Sequence, residues 1–170
     1  IAYCEMVKDK PVVIGNDRTD QLLATEPGDE PLGIQLAGRD PSLLSEAAKK
    51  LEDRGAAVVD INLGCPVPKV VKEGCGAALL KEPHHVGTMI EAIKDRVSIP
   101  VTIKMRTGFD EGDTGRFLDL AEIAEQAGAE AITVHGRTRK QRFSGMSNYE
   151  AIREVKERVS IPVIGNGDVR

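Results

Sequence analysis

The 170-residue sequence predicts an α/β fold with a parallel sheet, arranged as an incomplete (β/α) barrel of about six strand–helix units. Three observations lead there. Short apolar runs that end abruptly in polar or turn residues alternate with stretches whose apolar residues recur at helical spacing. The run Arg96-Val97-Ser98-Ile99-Pro100-Val101 nearly returns as Arg158-Val159-Ser160-Ile161-Pro162-Val163, with two strand–helix units between. Such repetition suits a barrel better than a dinucleotide-binding sheet, in which a glycine-rich turn follows the first strand. Polar residues also gather at the strands' carboxyl ends, the face on which such barrels do chemistry.

Ile1 to Val7 reads as a strand. Residues 8–31 are polar and irregular, rich in Asp, Pro and Gly, with one helical turn around Arg18 to Ala24. Pro31 to Leu36 forms the next strand, and Asp40 caps a helix with Pro41 at its first position. Leu43, Leu44, Ala47, Ala48 and Leu51 make that helix's sheet-facing stripe, and Gly55 ends it. Ala57 to Leu63 is a strand. Helical patterning resumes at Ala77 and restarts at Pro83, with Met89, Ile90 and Ile93 facing inward. His84 and His85, at that start, read as surface or capping residues. The strand Ile99 to Arg106 leads through a loop, Thr107 to Gly115, to a helix striped by Phe117, Leu120, Ala121, Ala124 and Ala127 that stops at Gly128. Ala131 to His135 is a strand, followed by a basic, glycine-bearing loop to Met146. Asn148 or Ser147 caps the helix carrying Ile152, Val155 and Val159, and Ile161 to Asp168 is a strand plus turn.

Composition narrows the class. Hydrophobic content of 41% and charged content of 29% fit a globular α/β domain, and 3% aromatics without Trp make the core aliphatic. A net charge of −4 provides no global basic field, so a nucleic-acid partner has to bind through a local patch or another segment. Cys4, Cys65 and Cys75 have neither disulfide nor metal-ligand spacing, which points to a reducing cytoplasm and to no metal. No apolar run is long enough to span a membrane.

The strongest chemical signal is Asp60-Ile61-Asn62-Leu63-Gly64-Cys65-Pro66. A buried strand exits into a stiff Gly-Cys-Pro turn, which displays the thiol at the catalytic face. A lone cysteine is usually a small buried hydrophobe. Asn62 upstream and the glycines Gly74 and Gly76 downstream favour catalysis here. With Lys69-Val70-Val71 and Gly74-x-Gly76-Ala77-x-Leu79-Leu80 behind it, the stretch resembles the signature of the tRNA-dihydrouridine synthases, and the resemblance covers nearly the whole chain. Cys75 stands where a small or acidic residue is expected and receives no role. The resemblance implies a TIM (β/α)8 barrel that binds FMN and reduces the uracil 5,6 double bond in tRNA with NADPH. It also implies that the first and last strands are missing, that residues 1–170 are one partial FMN-binding domain, and that the family's C-terminal helical tRNA-binding domain is absent.

By that resemblance Cys65 is the general acid that protonates uracil C5, a task for which a thiol carries the proton. Gln35, Lys104 and His135 match flavin-contacting positions. A lysine there stabilises the anionic reduced flavin, and an amide both donates and accepts. Asn166, Gly167 and Asp168 match a phosphate-cradling turn on strand seven. Asn62 orients the uracil edge. Arg106, Arg137 and Arg139, with Lys69, Lys72, Lys140 and Arg142, form a basic rim for tRNA phosphates. Two other readings compete. One is another FMN barrel of the dihydroorotate dehydrogenase type, against which the basic loop after His135 and the Lys-Val-Val spacing argue. The other is a flavin- or tRNA-binding scaffold without turnover, which has no use for an acid beside the flavin. Lacking two strands, the 170 residues are expected to bind FMN weakly or not at all.

Overall fold

The computed structural model describes residues 2–24, 28–113 and 115–169. Ile1, placed by pattern in the strand to Val7, lies outside the described residues, as do 25–27 and Thr114 of the two expected loops and Arg170. The strands are β1 (Ala2–Tyr3), β2 (Val7–Lys8), β3 (Leu32–Ala37), β4 (Val58–Leu63), β5 (Val101–Arg106), β6 (Ala131–His135) and β7 (Val163–Asn166). All pair in parallel, in the order β1-β3-β4-β5-β6-β7, with β2 also on β3. The strand expected from Ile1 to Val7 is therefore one strand interrupted. Ala2 pairs with Leu32 and Val7 with Leu36, so five steps along it match four along β3, and the extra residue kinks the chain between β1 and β2.

Side-chain alternation divides the sheet into two unlike faces. Leu36, Val59, Ile61, Leu63, Val101, Ile103, Met105, Ile132 and Val134 are fully buried on one face. Against them pack the apolar stripes of α3 (Pro41–Asp53), α5 (Pro83–Lys94), α6 (Arg116–Gln126) and α7 (Tyr149–Arg158). The opposite face carries Gln35, Asp60, Asn62, Thr102, Lys104, Thr133, His135 and Asn166. It is concave: Tyr3 near one edge and Ile164 near the other line a single cavity of ≈ 500 Å³. The sheet is a half-barrel with helices outside and polar residues within, as the alternating pattern predicts.

Where the structure departs from the sequence pattern, the elements are short. Residues 8–31 are not irregular throughout: α1 (Asp9–Ile14) lies in the stretch read as irregular, and α2 (Asp17–Leu22) is the helical turn expected around Arg18 to Ala24. Each is under two turns, too short for a periodic stripe, and α2 is started by Asn16, whose side chain accepts from Arg18 N and Thr19 N at 3.1 and 3.3 Å. The Cys65 loop likewise contains α4 (Pro68–Lys72), and a 3-10 helix (Gly76–Lys81) precedes α5. Asp40 caps α3 as expected, accepting from Leu43 N at 2.9 Å. Of the two candidates for α7, Asn148 is the cap, accepting from Ala151 N at 3.1 Å.

The sequence repeat proves to be a repeated joint. Glu52 Oε1 on α3 accepts from Ser98 N at 2.7 Å, Ser98 Oγ at 2.6 Å and Ile99 N at 3.2 Å. Glu125 on α6 does the same for Ser160 N at 2.8 Å, the Ser160 hydroxyl and Ile161 N at 3.1 Å. Each joint sets the start of a strand, and the proline that follows has no N–H to place. Lys49 and Ser98 hold the Glu52 carboxyl down at about 2. A depressed carboxyl stabilises the fold above its unfolded value and loses that contribution as pH falls through the folded one. Glu52→Gln is therefore expected to lower Tm at neutral pH, and the gap from the parent should close between about pH 4.3 and 2 in thermal melts at stepped pH.

Candidate active site

Strand register brings the polar carboxyl-end residues together. Asn62 pairs with Lys104, Arg106 with His135, and His135 with Asn166. These residues line a cleft of ≈ 630 Å³, along with Gln35, Cys65, Arg137, Gly167 and Asp168. That volume is typical of a ligand site, roughly 300–1,000 Å³.

Cys65 is held by its backbone. Its N–H donates to Asn62 Oδ1 at 2.9 Å, beside Gly64 N at 3.2 Å, and its carbonyl accepts from Ala77 N at 3.1 Å. Gly76 makes the last contact possible: at φ +59 a Cβ there would lie 2.9 Å from Cys65 O. Asn62 Nδ2 in turn donates to Gln35 Oε1 at 2.7 Å, and Gln35 Nε2 donates to Asp60 Oδ2 at 2.7 Å. Thr102 Oγ1 donates to the other Asp60 oxygen at 2.6 Å. Burial pushes the Asp60 carboxyl up, and the bonds from Thr102 and Gln35 oppose that.

Three cations and one carboxylate line the cleft: Lys104, Arg106 and Arg137 against Asp168. The site favours anions although the chain is acidic. Lys104 Nζ donates to Asn166 Oδ1 at 3.0 Å, and burial, then Arg106, lowers its pKa. His135 is 7% exposed, and burial followed by Arg106, Lys104 and Arg137 lowers it to about 4. Arg137 Nη1 lies 3.3 Å from His135 Nε2. A guanidinium only donates, so Nε2 carries the lone pair and the ring proton sits on Nδ1.

The family model described as Dihydrouridine synthase (Dus) matches residues 1–170. The chain belongs to the dihydrouridine synthase family. It is 43% identical over 159 residues to tRNA-dihydrouridine synthase B of Pseudomonas aeruginosa, covering 93% of this chain and 48% of that protein. A probable tRNA-dihydrouridine synthase of Rhizobium leguminosarum bv. phaseoli is 43% identical over 170 residues, covering 99% and 53%. tRNA-dihydrouridine synthase B of Vibrio vulnificus is 38% identical over 169 residues, covering 99% and 52%. The chain spans about half the length of these curated relatives.

In this member of the family the expected cofactor residues Gln35, Lys104, His135, Asn166, Gly167 and Asp168 all line one cleft, with Asn62 and Cys65. The three arginines expected at the tRNA rim do not form one surface. Arg106, 5% exposed, donates to Gly64 O at 2.8 Å, Thr138 O at 3.2 Å and Arg142 O at 3.1 Å, bracing the Cys65 loop against the loop after β6. Arg137, also 5% exposed, donates to Gly145 O at 2.7 Å and to both Asp168 oxygens at 2.8 and 2.7 Å. Arg139 lies outside the cleft, its guanidinium 4.6 Å from the Phe109 ring centre. Lys69, Lys72, Lys140 and Arg142 are exposed, Lys140 within 3.7 Å of Glu111. Charge counting along a loop cannot tell an internal brace from a surface cation; the backbone carbonyls that hold Arg106 become neighbours only in the fold.

Several site residues escaped the sequence reading. Asp60 and Thr102 sit two residues behind Asn62 and Lys104 on the same face, a position that alternation alone could have marked. Met6 and the exposed Phe143 complete the cleft wall. Ser147 N donates to Asp168 Oδ2 at 2.8 Å and Tyr149 OH to Asp168 O at 2.7 Å, so both support the turn expected to bind phosphate. His84 is exposed as expected, whereas His85 bonds the Arg39 carbonyl at 2.8 Å.

The depressed His135 has a definite pH consequence. Its folded pKa of about 4 lies below the unfolded value of about 6.5, so stability from this group is complete above the latter and drains away as pH falls towards the former. In an NMR titration the His135 ring is expected to stay in its neutral form from about pH 5.5 upward, with the proton on Nδ1; a midpoint near the unfolded value would contradict the burial argument.

Proposed function

We propose that the protein carrying this chain is a tRNA-dihydrouridine synthase, reducing the 5,6 double bond of uridines in tRNA in the cytoplasm, with FMN bound and NADPH as reductant. One observation carries the reading: Cys65 stands on a backbone-locked turn at a cleft shared with Lys104 and a neutral His135. The similarity to tRNA-dihydrouridine synthases supports it.

The residues fit an anionic flavin phosphate. Among the described residues, Arg137 Nε is a buried nitrogen without a hydrogen-bond partner, and it belongs to the residue that clamps the Asn166–Asp168 turn. Lys104 uses one of its three donors on Asn166 and keeps two for the cofactor's pyrimidine edge. FMN, when bound and reduced by NADPH, would supply hydride to uracil C6. Cys65 Sγ gives its proton to C5. Asn62 commits Oδ1 to two backbone N–H groups and one Nδ2 hydrogen to Gln35, leaving one N–H for a uracil carbonyl. The target base leaves its stack at a cost of roughly a few kcal/mol. Exposed Lys69, Lys72, Lys140 and Arg142 take tRNA phosphates, while Arg106 and Arg137 hold the site together from within.

The deciding assay incubates the full-length protein with NADPH and unmodified tRNA and reads dihydrouridine by nucleoside mass spectrometry. Cys65→Ala is expected to lower the rate by about 10²-fold or more while leaving flavin content unchanged. Dihydrouridine formed equally fast by the variant overturns the assignment of the acid; none formed by the parent overturns the substrate. Lys140→Ala with Arg142→Ala should raise KM for tRNA and flatten its salt dependence by a log–log slope of about 1–2.

A further inference from the structure

We infer that Asp60 is a positioning residue for Cys65, acting through Gln35 and Asn62 to fix the turn that carries the thiol. The inference concerns this chain's own side chains, and its kinetic part rests on the uridine-reducing reading above. Asp60 does not itself bond Cys65. It is 4% exposed, at the level of β4 below Asn62, and it is the end of a chain of three hydrogen bonds that all run one way.

The direction follows from donor and acceptor chemistry. At the upper end, Gly64 N–H and Cys65 N–H can only donate, so the Asn62 group facing them is its carbonyl oxygen. The Asn62 amide nitrogen then faces Gln35, which must turn its own carbonyl towards it. Gln35 is left presenting its NH2 to the interior, and only an acceptor can stand there. Asp60 Oδ2 is that acceptor, and Thr102 fills Oδ1. A side-chain amide can rotate by half a turn at little steric cost, which exchanges its donor and its acceptor. The carboxylate removes that freedom from two amides in series. Removing the acceptor leaves a half-buried Gln35 N–H without its partner and lets Gln35 turn over. Asn62 then has no fixed partner below it and no single orientation over the Cys65 turn.

The substitution Asp60→Asn separates this from a need for charge, because the amide keeps an acceptor oxygen. It can present its oxygen to Gln35 and its NH2 to Thr102, whose hydroxyl then accepts instead of donating. Thr102→Val blocks that switch.

The test is amide hydrogen exchange on the full-length protein as purified, comparing Gly64 and Cys65 with Val134 in β6. Asp60→Ala is expected to accelerate exchange at Gly64 and Cys65 about tenfold or more and to leave Val134 unchanged. Asp60→Asn and Thr102→Val should each stay within about threefold of the parent. The double variant Asp60→Asn with Thr102→Val should behave as Asp60→Ala does, and it carries the test if Asp60→Ala does not fold. In single turnovers, Asp60→Ala should slow dihydrouridine formation by roughly 10- to 100-fold, with NADPH-driven flavin reduction at the parent rate. Unchanged exchange at Gly64 and Cys65 in Asp60→Ala overturns the relay, as does acceleration spread equally to Val134. A parent that makes no dihydrouridine overturns the functional reading alone, because exchange needs neither tRNA nor turnover.

Discussion

The two-residue period of the parallel strands is the constraint on which this structure depends. Residues at alternate positions of β3 to β6 must be apolar, because helices cover that face and leave no water to satisfy a polar group. The intervening positions are released from that demand and point into the half-barrel. Asp60, Asn62, Thr102, Lys104, Thr133 and His135 are therefore not scattered polar residues; they are the inner face of a ladder whose outer face is Val59, Ile61, Leu63, Val101, Ile103, Met105, Ile132 and Val134. Core and cleft come from one alternation.

Electrostatics then separates the groups by environment. Lys104, Arg106 and Arg137 surround His135 where little water reaches, so its imidazole stays neutral and acts through one ring lone pair towards Arg137. Two of these cations are steadied by acceptors that cost no net charge, Asn166 Oδ1 for Lys104 and carbonyls of residues 64, 138 and 142 for Arg106, while Arg137 is paired with the Asp168 carboxylate. Positive potential in the cleft thus survives in a chain of net charge −4. The same carbonyl contacts join the Cys65 turn to the loop after β6, so the thiol and the basic loop form one braced unit.

Much of this was readable in advance. Strand positions, the parallel arrangement, the cap at Asp40 and the gathering of Gln35, Asn62, Cys65, Lys104 and His135 at one end of the sheet follow from periodicity and turn chemistry. The helices α1 and α4 did not, and α2 showed only as one helical turn around Arg18 to Ala24, since elements under two turns carry too few apolar residues to show a period. The interruption between β1 and β2 was equally hidden, because one extra residue on a strand leaves its composition unchanged.

By itself the sequence determined which residues alternate, where helices begin, and that a cysteine sits in a rigid turn at a strand's carboxyl end. Those are properties of neighbours along the chain. Only the tertiary structure decided that Arg106 and Arg137 are braces, that Glu52 and Glu125 each hold a Ser–Ile–Pro joint 46 and 35 residues away, and that Asp60 anchors a relay across Gln35 to Asn62. Hydrogen-bond partners are chosen by distance and desolvation in three dimensions, and no spacing in the chain encodes which carbonyl a buried guanidinium will meet.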